Sequence, residues 1–345
     1  MVDGEKGELV IAGYPVAELA LNATFEETAH LLWYGTTDAA DFRRDLAGRR
    51  ALDPEALELL AAAARKGADP MDALRMAAGT LGGTSDDNAA RNLLAAFPTI
   101  VAAYWRLLHG REPVAPRADL GHAANYLYML TAELPGDQRV RGLETYLNTV
   151  VDHGLNASTF TARVIASTGS DFVSAVVGAV GALKGPLHGG APGPALDMVF
   201  EIGQVARAEE VLRRKIAAGE RLMGFGHRVY KVRDPRADVL AAAAERMLGP
   251  GNALYDLARG VEAVALRLLE EAKPGRRLQT NVEFYTALLL HGLGLEVPLF
   301  TPTFAISRAA GWIAHCFEQR RANRLIRPQS VYAGPRDLRW AATPA

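Results

Sequence analysis

The stretch Thr24–Gly35, "TFEETAHLLWYG", reads as one helix with both of its ends written into it. Thr24 and Glu27 stand in capping-box register, where each side chain can satisfy the other's backbone N–H. Gly35 is the natural stop, since glycine accepts the left-handed conformation that ends a helix. The same grammar recurs downstream. "DPEALELLAAAARKG" (Asp53–Gly67) offers Asp53 as cap, Pro54 at the first helical position and Gly67 after a basic last turn. "ADVLAAAAERMLG" (Ala237–Gly249) and "VEAVALRLLEEAKPG" (Val261–Gly275) repeat it. Alternating β-branched patterns are nearly absent, apart from a short strand expected at "GELVIAG" (Gly7–Gly13). The expected fold class is therefore mostly α. "FVSAVVGAVGAL" (Phe172–Leu183) is apolar on all sides, which predicts a central buried helix closely approached at Gly178 and Gly181.

At 345 residues the chain is long enough for one large domain or two moderate ones. Its hydrophobic share of 49% and charged share of 22% are those of a globular protein. A formal net charge of -1, with the basic residues scattered, leaves no footprint for nucleic acid or an anionic membrane. The single cysteine, Cys316, excludes an intrachain disulfide or a multi-thiolate metal site. Phe172–Leu183, at 12 residues, falls short of the ~20 that a membrane-spanning helix needs. The N-terminus is charged and carries no secretory signal pattern, so a cytoplasmic protein is expected.

Eight histidines divide into two groups. His30, His291 and His315 lie within helical patterns and suit packing or surface roles, and His109 suits a helix end. His122, in "DLGHAANYL", carries no argument either way. His153, His188 and His227 differ, because each stands beside glycine in a loop: "VDHGLNAS", "GPLHGG", "GFGHRVY". Glycine lets a ligand approach the backbone, and a neutral imidazole donates one hydrogen bond while accepting another. Such a group suits a carbonyl or an enol. No two histidines have the close spacing of the common zinc motifs, so no metal is expected.

Arginines cluster near the same loops. Arg228, Arg233 and Arg236 follow His227 in a segment that also holds Lys231. Arg308 interrupts the apolar helix "AISRAAGWIAH", where it needs either an ion-pair partner or an anionic ligand. Arg327 precedes a proline and so lies in extended chain. Solvent is an alternative for these others, Arg233 above all. Glu283, in "TNVEFYTALLL", is open to two readings as well: a first-turn carboxylate favoured by the helix dipole, or a catalytic base.

Taken together, "VDHGLNASTFTAR", "GPLHGG", "GFGHRVYKVRDPRA", "NVEFY", "FTPTFAISRAAGWIAHCFEQ" and "NRLIRPQSVYAGP" resemble, in order and spacing, the successive signatures of the citrate synthases, including the 2-methylcitrate synthases. The resemblance runs over nearly the whole chain. It implies a mostly helical homodimer that condenses acetyl-CoA with oxaloacetate and hydrolyses the citryl thioester, without metal or cofactor. It also implies a large domain of residues 1–187 and 294–345, and a small closing domain of residues 188–293.

Carried over residue by residue, the resemblance implies that His188 stabilises the enol and His227 polarises the oxaloacetate carbonyl. His153, Arg236, Arg308 and, from the partner subunit, Arg327 would bind oxaloacetate. Gly224, Phe225 and Gly226 would receive CoA, with Lys231 as a phosphate contact. Two departures from the family pattern stand out. Glu283 replaces the usual aspartate base and is one methylene longer. Ala191, Pro192 and Gly193 replace a polar pair after His188. Three alternatives follow: propionyl-CoA as donor, the reverse cleavage of a citryl thioester, or a catalytically weakened paralogue that still binds CoA or a di-acid. A chain of this length is expected to lack an NADH-sensing domain.

Overall fold

The computed structural model describes residues 1–190, 192–249 and 251–340, so Ala191, the first residue of the second departure, lies outside it. Three short antiparallel strands open the chain: β1 (Val2–Asp3), β2 (Glu8–Ile11) and β3 (Tyr14–Pro15). Val2 stands opposite Leu9 and Ile11 opposite Tyr14. Ten helices follow: α1 (Val16–Asn22), α2 (Phe25–Tyr34), α3 (Ala40–Gly48), α4 (Pro54–Arg65), α5 (Pro70–Ala78), α6 (Asp86–Leu108), α7 (His122–Thr131), α8 (Asp137–Val150), α9 (Ala157–Ser167) and α10 (Phe172–Leu183). After the turn that carries His188 come α11 (Pro192–Ile202), α12 (Val205–Ala217), α13 (Pro235–Leu248), α14 (Ala253–Ala272) and α15 (Val282–Gly292). A single 3-10 turn, Val297–Leu299, leads into α16 (Phe300–Arg321). Residues 323–340 continue without helix or strand.

Helix punctuation acts largely as the sequence predicts. Glu27 N–H donates to Thr24 Oγ1 at 3.3 Å, and the Glu27 carboxylate accepts Thr24 N–H at 2.7 Å. Gly35 closes α2 at φ 77°. Asp53 precedes Pro54 as expected, but its side chain makes no capping bond. Two helices start earlier than their periodic stretches indicate. α13 begins at Pro235 under Asp234, and α14 at Ala253 under Asn252, whose side chain accepts from Leu254 and Tyr255 N–H. In both cases the cap sits inside a loop-like segment and overrides the weak periodicity that follows it.

α16 is the hub of the core. It packs on α2, α6, α8, α9 and α10, with Ile306, Ala309, Ala310, Trp312 and Ile313 fully buried. Truncating a side chain as large as Trp312 in such a setting costs ~3–5 kcal/mol. One residue sets the spacing: a Cβ on Gly311 would lie 2.3 Å from the Val151 carbonyl oxygen. Glycine therefore lets α16 press against the end of α8, and Arg308 arrives one turn earlier on the same helix. α10 is less enclosed than its composition predicts. Its face of Phe172, Ala175, Val176, Ala179, Val180 and Leu183 is buried, but Val173, Val177 and Gly181 are only half-buried. Gly178 does admit a close neighbour, Ile165 of α9, whereas nothing comes nearer than 4.0 Å to a Cβ built on Gly181. Among the described residues no single helix is long and apolar enough to cross a membrane.

Candidate active site

Three loops and the middle of α16 converge on one cleft. The first loop joins α8 to α9 and holds His153. Asp152 beside it accepts Gly154 N–H at 3.1 Å and contacts His315 Nε2 at 3.1 Å, and His315 Nδ1 faces Arg163 at 3.0 Å. His315, which the sequence assigns to packing, thus helps fix the His153 loop. The second loop follows α10. His188 N–H donates to the Gly185 carbonyl at 2.9 Å, and a Cβ on Gly189 would fall 2.5 Å from the Leu183 carbonyl oxygen. Only glycine fits that turn.

The third loop carries His227 and is zipped to the start of α15. Gly226 N–H donates to Gln279 O at 2.7 Å, Asn281 N–H to Gly224 O at 3.0 Å, and the Asn281 side-chain amide to Gly226 O at 2.8 Å. Gly224 and Gly226 adopt φ of 89° and 81°, and a Cβ on Gly224 would collide with Phe284. Much of the Gly224–Gly226 backbone is thereby engaged within the fold, and Phe225 is buried. These bonds tie the His227 loop to the helix start that carries Glu283.

The histidines are held neutral and in defined orientations. His227 Nδ1 accepts the N–H groups of Val229 and Tyr230 at 3.0 and 3.1 Å, so its proton resides on Nε2. The nearby Arg236 Nη2, at 3.4 Å from Nε2, is then a neighbouring cation rather than a donor. Burial and that guanidinium bring His227 down to about 4. His153 Nε2 meets Tyr230 Oη at 3.1 Å, and its ring centroid lies 5.5 Å from that of His227. Burial, then Arg236 and Arg308, push its pKa far below the ordinary value. His188 Nε2 contacts Ser158 Oγ at 2.8 Å, and burial with Arg308 lowers it to about 4. Ser158 also receives Trp312 Nε1–H at 3.0 Å and lies 2.8 Å from Asn156 Oδ1.

Two buried arginines face these rings, and they differ. Arg236 is held bidentately by Asp234, at 3.0 Å from Nε and 2.8 Å from Nη2. Burial opposes ionisation of Asp234, but Arg236 outweighs it and keeps the carboxyl below its usual range. Arg308 is 2% exposed, yet among the described residues its one hydrogen bond runs from Nε to Val150 O at 2.8 Å. It lies over Phe304, 4.6 Å from the ring centre, and forms no ion pair among the described residues. Burial, only partly offset by Asp152, lowers it to about 10. A desolvated guanidinium in that state calls for an anion. Glu283 completes the group. Asn281 caps its backbone N–H at 3.0 Å, and burial raises its carboxyl to about 7 against the pull of Arg236.

Not every predicted residue joins. Arg327 and Lys231 are exposed, and Arg327 makes no hydrogen bond or ion pair among the described residues. Arg233 is half-buried and paired rather than free in solvent: it bonds Asp238 and Glu262, at 2.7 Å to the latter. Ser158, Tyr230, Asp234 and Phe304 belong to the site but escaped the sequence reading. Asp234 sits in a loop-like segment before a proline, and the others have the character of ordinary loop or core residues. Among the described residues no group of three or more His, Cys, Asp or Glu could hold a metal ion.

A model of the citrate synthase C-terminal domain matches residues 1–329. The chain belongs to the citrate synthase family. It is 40% identical to citrate synthase 2 of Bacillus subtilis, over 95% of this chain and 90% of that one. It is 41% identical to the 2-methylcitrate synthase of Mycobacterium tuberculosis, over 96% and 86%. The citrate synthase of Thermoplasma acidophilum, solved as a ternary complex with carboxymethyl coenzyme A and oxaloacetate, superposes with a TM-score of 0.90 at 27% identity, over 99% of this chain and 94% of that one. As a citrate synthase family member the chain is an acyltransferase with a mostly α fold.

Proposed function

We propose that the protein condenses acetyl-CoA with oxaloacetate and hydrolyses the resulting citryl thioester to citrate and CoA. The observation that carries this reading is Arg308, a buried guanidinium with no ion pair among the described residues, whose charge acts on His153 and His188 while Arg236 stands by His227 and Glu283. In the reaction Glu283 removes a proton from the thioester methyl group. His188 donates from Nδ1 to the thioester oxygen and stabilises the enol where its charge develops. That step requires Ser158 to turn its hydroxyl proton toward His188 Nε2, with Trp312 N–H filling a lone pair behind it. The enol carbon attacks the oxaloacetate carbonyl carbon, and His227 delivers its Nε2 proton to the carbonyl oxygen. The enol proton returns to His188; water then adds to the thioester carbonyl carbon as His227 takes back a proton from it, and the C–S bond breaks as Glu283 returns its proton to the CoA sulfur. Each proton has a protein group to take or give it, so the sequence of steps draws on no metal or prosthetic group. His153, Arg236 and Arg308 hold oxaloacetate; Gly224, Phe225, Gly226 and Lys231 face CoA.

In this reading the active unit is a cytoplasmic homodimer, CoA thioesters being intracellular metabolites. Support comes from charge and from surface. With Arg236 engaged by Asp234, Arg308 has no carboxylate partner among the described residues, and a dianion calls for another cation, which Arg327 of a second copy would supply. The half-buried face of α10, the exposed Phe160 on α9, and the tail residues Val331 and Trp340, more than 90% exposed, need cover of the kind a second copy gives. Residues 188–293 form the small closing domain against 1–187 and 294–345. The Leu293 carbonyl at that boundary is gripped by Arg139 at 2.6 Å, and Gly294 takes φ 81°.

Propionyl-CoA is the second donor to consider, because the 2-methylcitrate synthase and the citrate synthase compared above are equally similar to this chain. One methylene in a pocket is worth only ~1–3 kcal/mol. Mass spectrometry of the products formed from equal concentrations of both donors tests the assignment. Citrate in excess supports it, 2-methylcitrate in excess reassigns the donor, and neither product refutes condensation.

A further inference from the structure

We propose that the N-terminal hairpin, Val2–Ile11, is a positioning element for two of the three histidine loops of the cleft, those of His153 and His227, with Gly4 as its contact point. The hairpin lies across residues 229–233. Gly4 O accepts Lys231 N–H at 2.9 Å, and a Cβ on Gly4 would sit 2.2 Å from the Val229 carbonyl oxygen. Gly7, at φ 70°, packs the same way, its Cβ position 2.7 Å from Val232 Cγ2 and 3.2 Å from Arg233 O. At the other end Val2 Cγ2 lies 3.6 Å from the Cβ position of Gly154, the residue after His153. One small element therefore touches both loops.

The segment it holds is the one that orients the histidines. Val229 and Tyr230 supply the two N–H groups that fix the proton of His227 on Nε2, and the Tyr230 hydroxyl reaches His153. Moving the backbone at Val229 moves those donors directly. An additional atom at Gly4 must displace a carbonyl, not the end of a flexible side chain, so the loop has to shift. A displacement of about 1 Å in a catalytic group can cost ~10²-fold in rate.

The next turn, between β2 and β3, supplies the control. Gly13 has φ 90° and nothing within 4 Å of its Cβ position, so alanine there strains the backbone without touching the loop. Gly4→Ala is the reverse case, a collision without a positive φ. The inference rests on the proposed condensation for its kinetic readout, and hydrogen exchange provides a readout that needs no activity. In Gly4→Ala, kcat/KM for oxaloacetate should fall about 10- to 100-fold, and amides 229–233 should exchange faster. Gly13→Ala should keep the wild-type values of both, even if its melting temperature drops. Equal kinetics and equal exchange in the two variants would overturn the proposal. If Gly4→Ala does not fold, exchange of the wild-type protein decides: the Lys231 amide should be protected to the same degree as the hairpin amides, and rapid exchange there would refute the contact. A wild-type protein that shows this protection yet releases no CoA would refute the condensation and leave the brace standing.

Discussion

Glu283 and Arg308 carry the chemistry that can be tested one side chain at a time. A base must be ionised to act, and burial raises Glu283 to about 7 while His188 and His227 stay neutral down to about 4. The rate should therefore fall as pH drops through about 7, on a single acidic limb owed to the carboxylate. A pH profile of kcat/KM checks this, and Glu283→Gln should lose ~10²–10⁴-fold at every pH. A wild-type rate that stays flat from pH 5 to 8 would remove Glu283 from the role. Arg308→Met offers an opposed pair of effects. It replaces an unpaired buried cation, so the ligand-free protein should melt no lower than wild type. The stabilisation given by oxaloacetate, about 2.7 kcal/mol at a hundred times Kd, should vanish in a thermal-shift titration. Residues of this kind were legible to different degrees. A guanidinium inside "AISRAAGWIAH" announces itself because nothing nearby in sequence can neutralise it. The bond of Asp234 to Arg236 was hidden, because an aspartate before proline reads equally well as a cap.

The elements were legible where local chemistry decides them. α2 could be read from Thr24, Glu27 and Gly35 alone, since a capping box and a left-handed stop need no partner from elsewhere. The starts of α13 and α14 could not be read so well, because Asp234 and Asn252 sit among loop residues and only the packed helix shows which signal won. Close approach between elements is a tertiary fact: Gly178 and Gly181 look alike in sequence, yet only Gly178 meets a neighbour. Gly311 matters more than either. It sets the distance from α16 to the Val151–His153 loop, and its obstacle is a backbone carbonyl that cannot rotate away. Gly311→Ala should destabilise the fold by ~1–3 kcal/mol and raise the KM for oxaloacetate, because Asp152 and His153 must retreat. Denaturant melts and steady-state kinetics on the same preparation check both parts. Loss of stability with an unchanged KM would mean that the loop absorbs the strain without moving His153.

At the scale of the whole molecule, the cleft gathers His153, His188, His227, Arg236, Glu283 and Arg308 from segments spread over half the chain, and α16 and the α15 cap hold them in register. Arg327 stands apart on the exposed tail, which is the expected geometry if it serves a second subunit. Mixed dimers that pair an Arg327→Ala chain with a His188→Ala chain test this. Sharing of sites in trans concentrates both defects in one cleft and leaves the other intact, so the mixture should recover activity that neither homodimer has; no recovery would confine Arg327 to its own cleft or to none. The central claim, that the cleft condenses a CoA thioester with oxaloacetate, is met most directly by following thiol release from acetyl-CoA with and without oxaloacetate. Release that depends on oxaloacetate is the predicted result, and it would make Glu283 a working base despite its additional methylene. No release with acetyl-CoA or propionyl-CoA, from folded protein that still binds oxaloacetate, would contradict the account and mark the chain as a di-acid binder that has lost turnover.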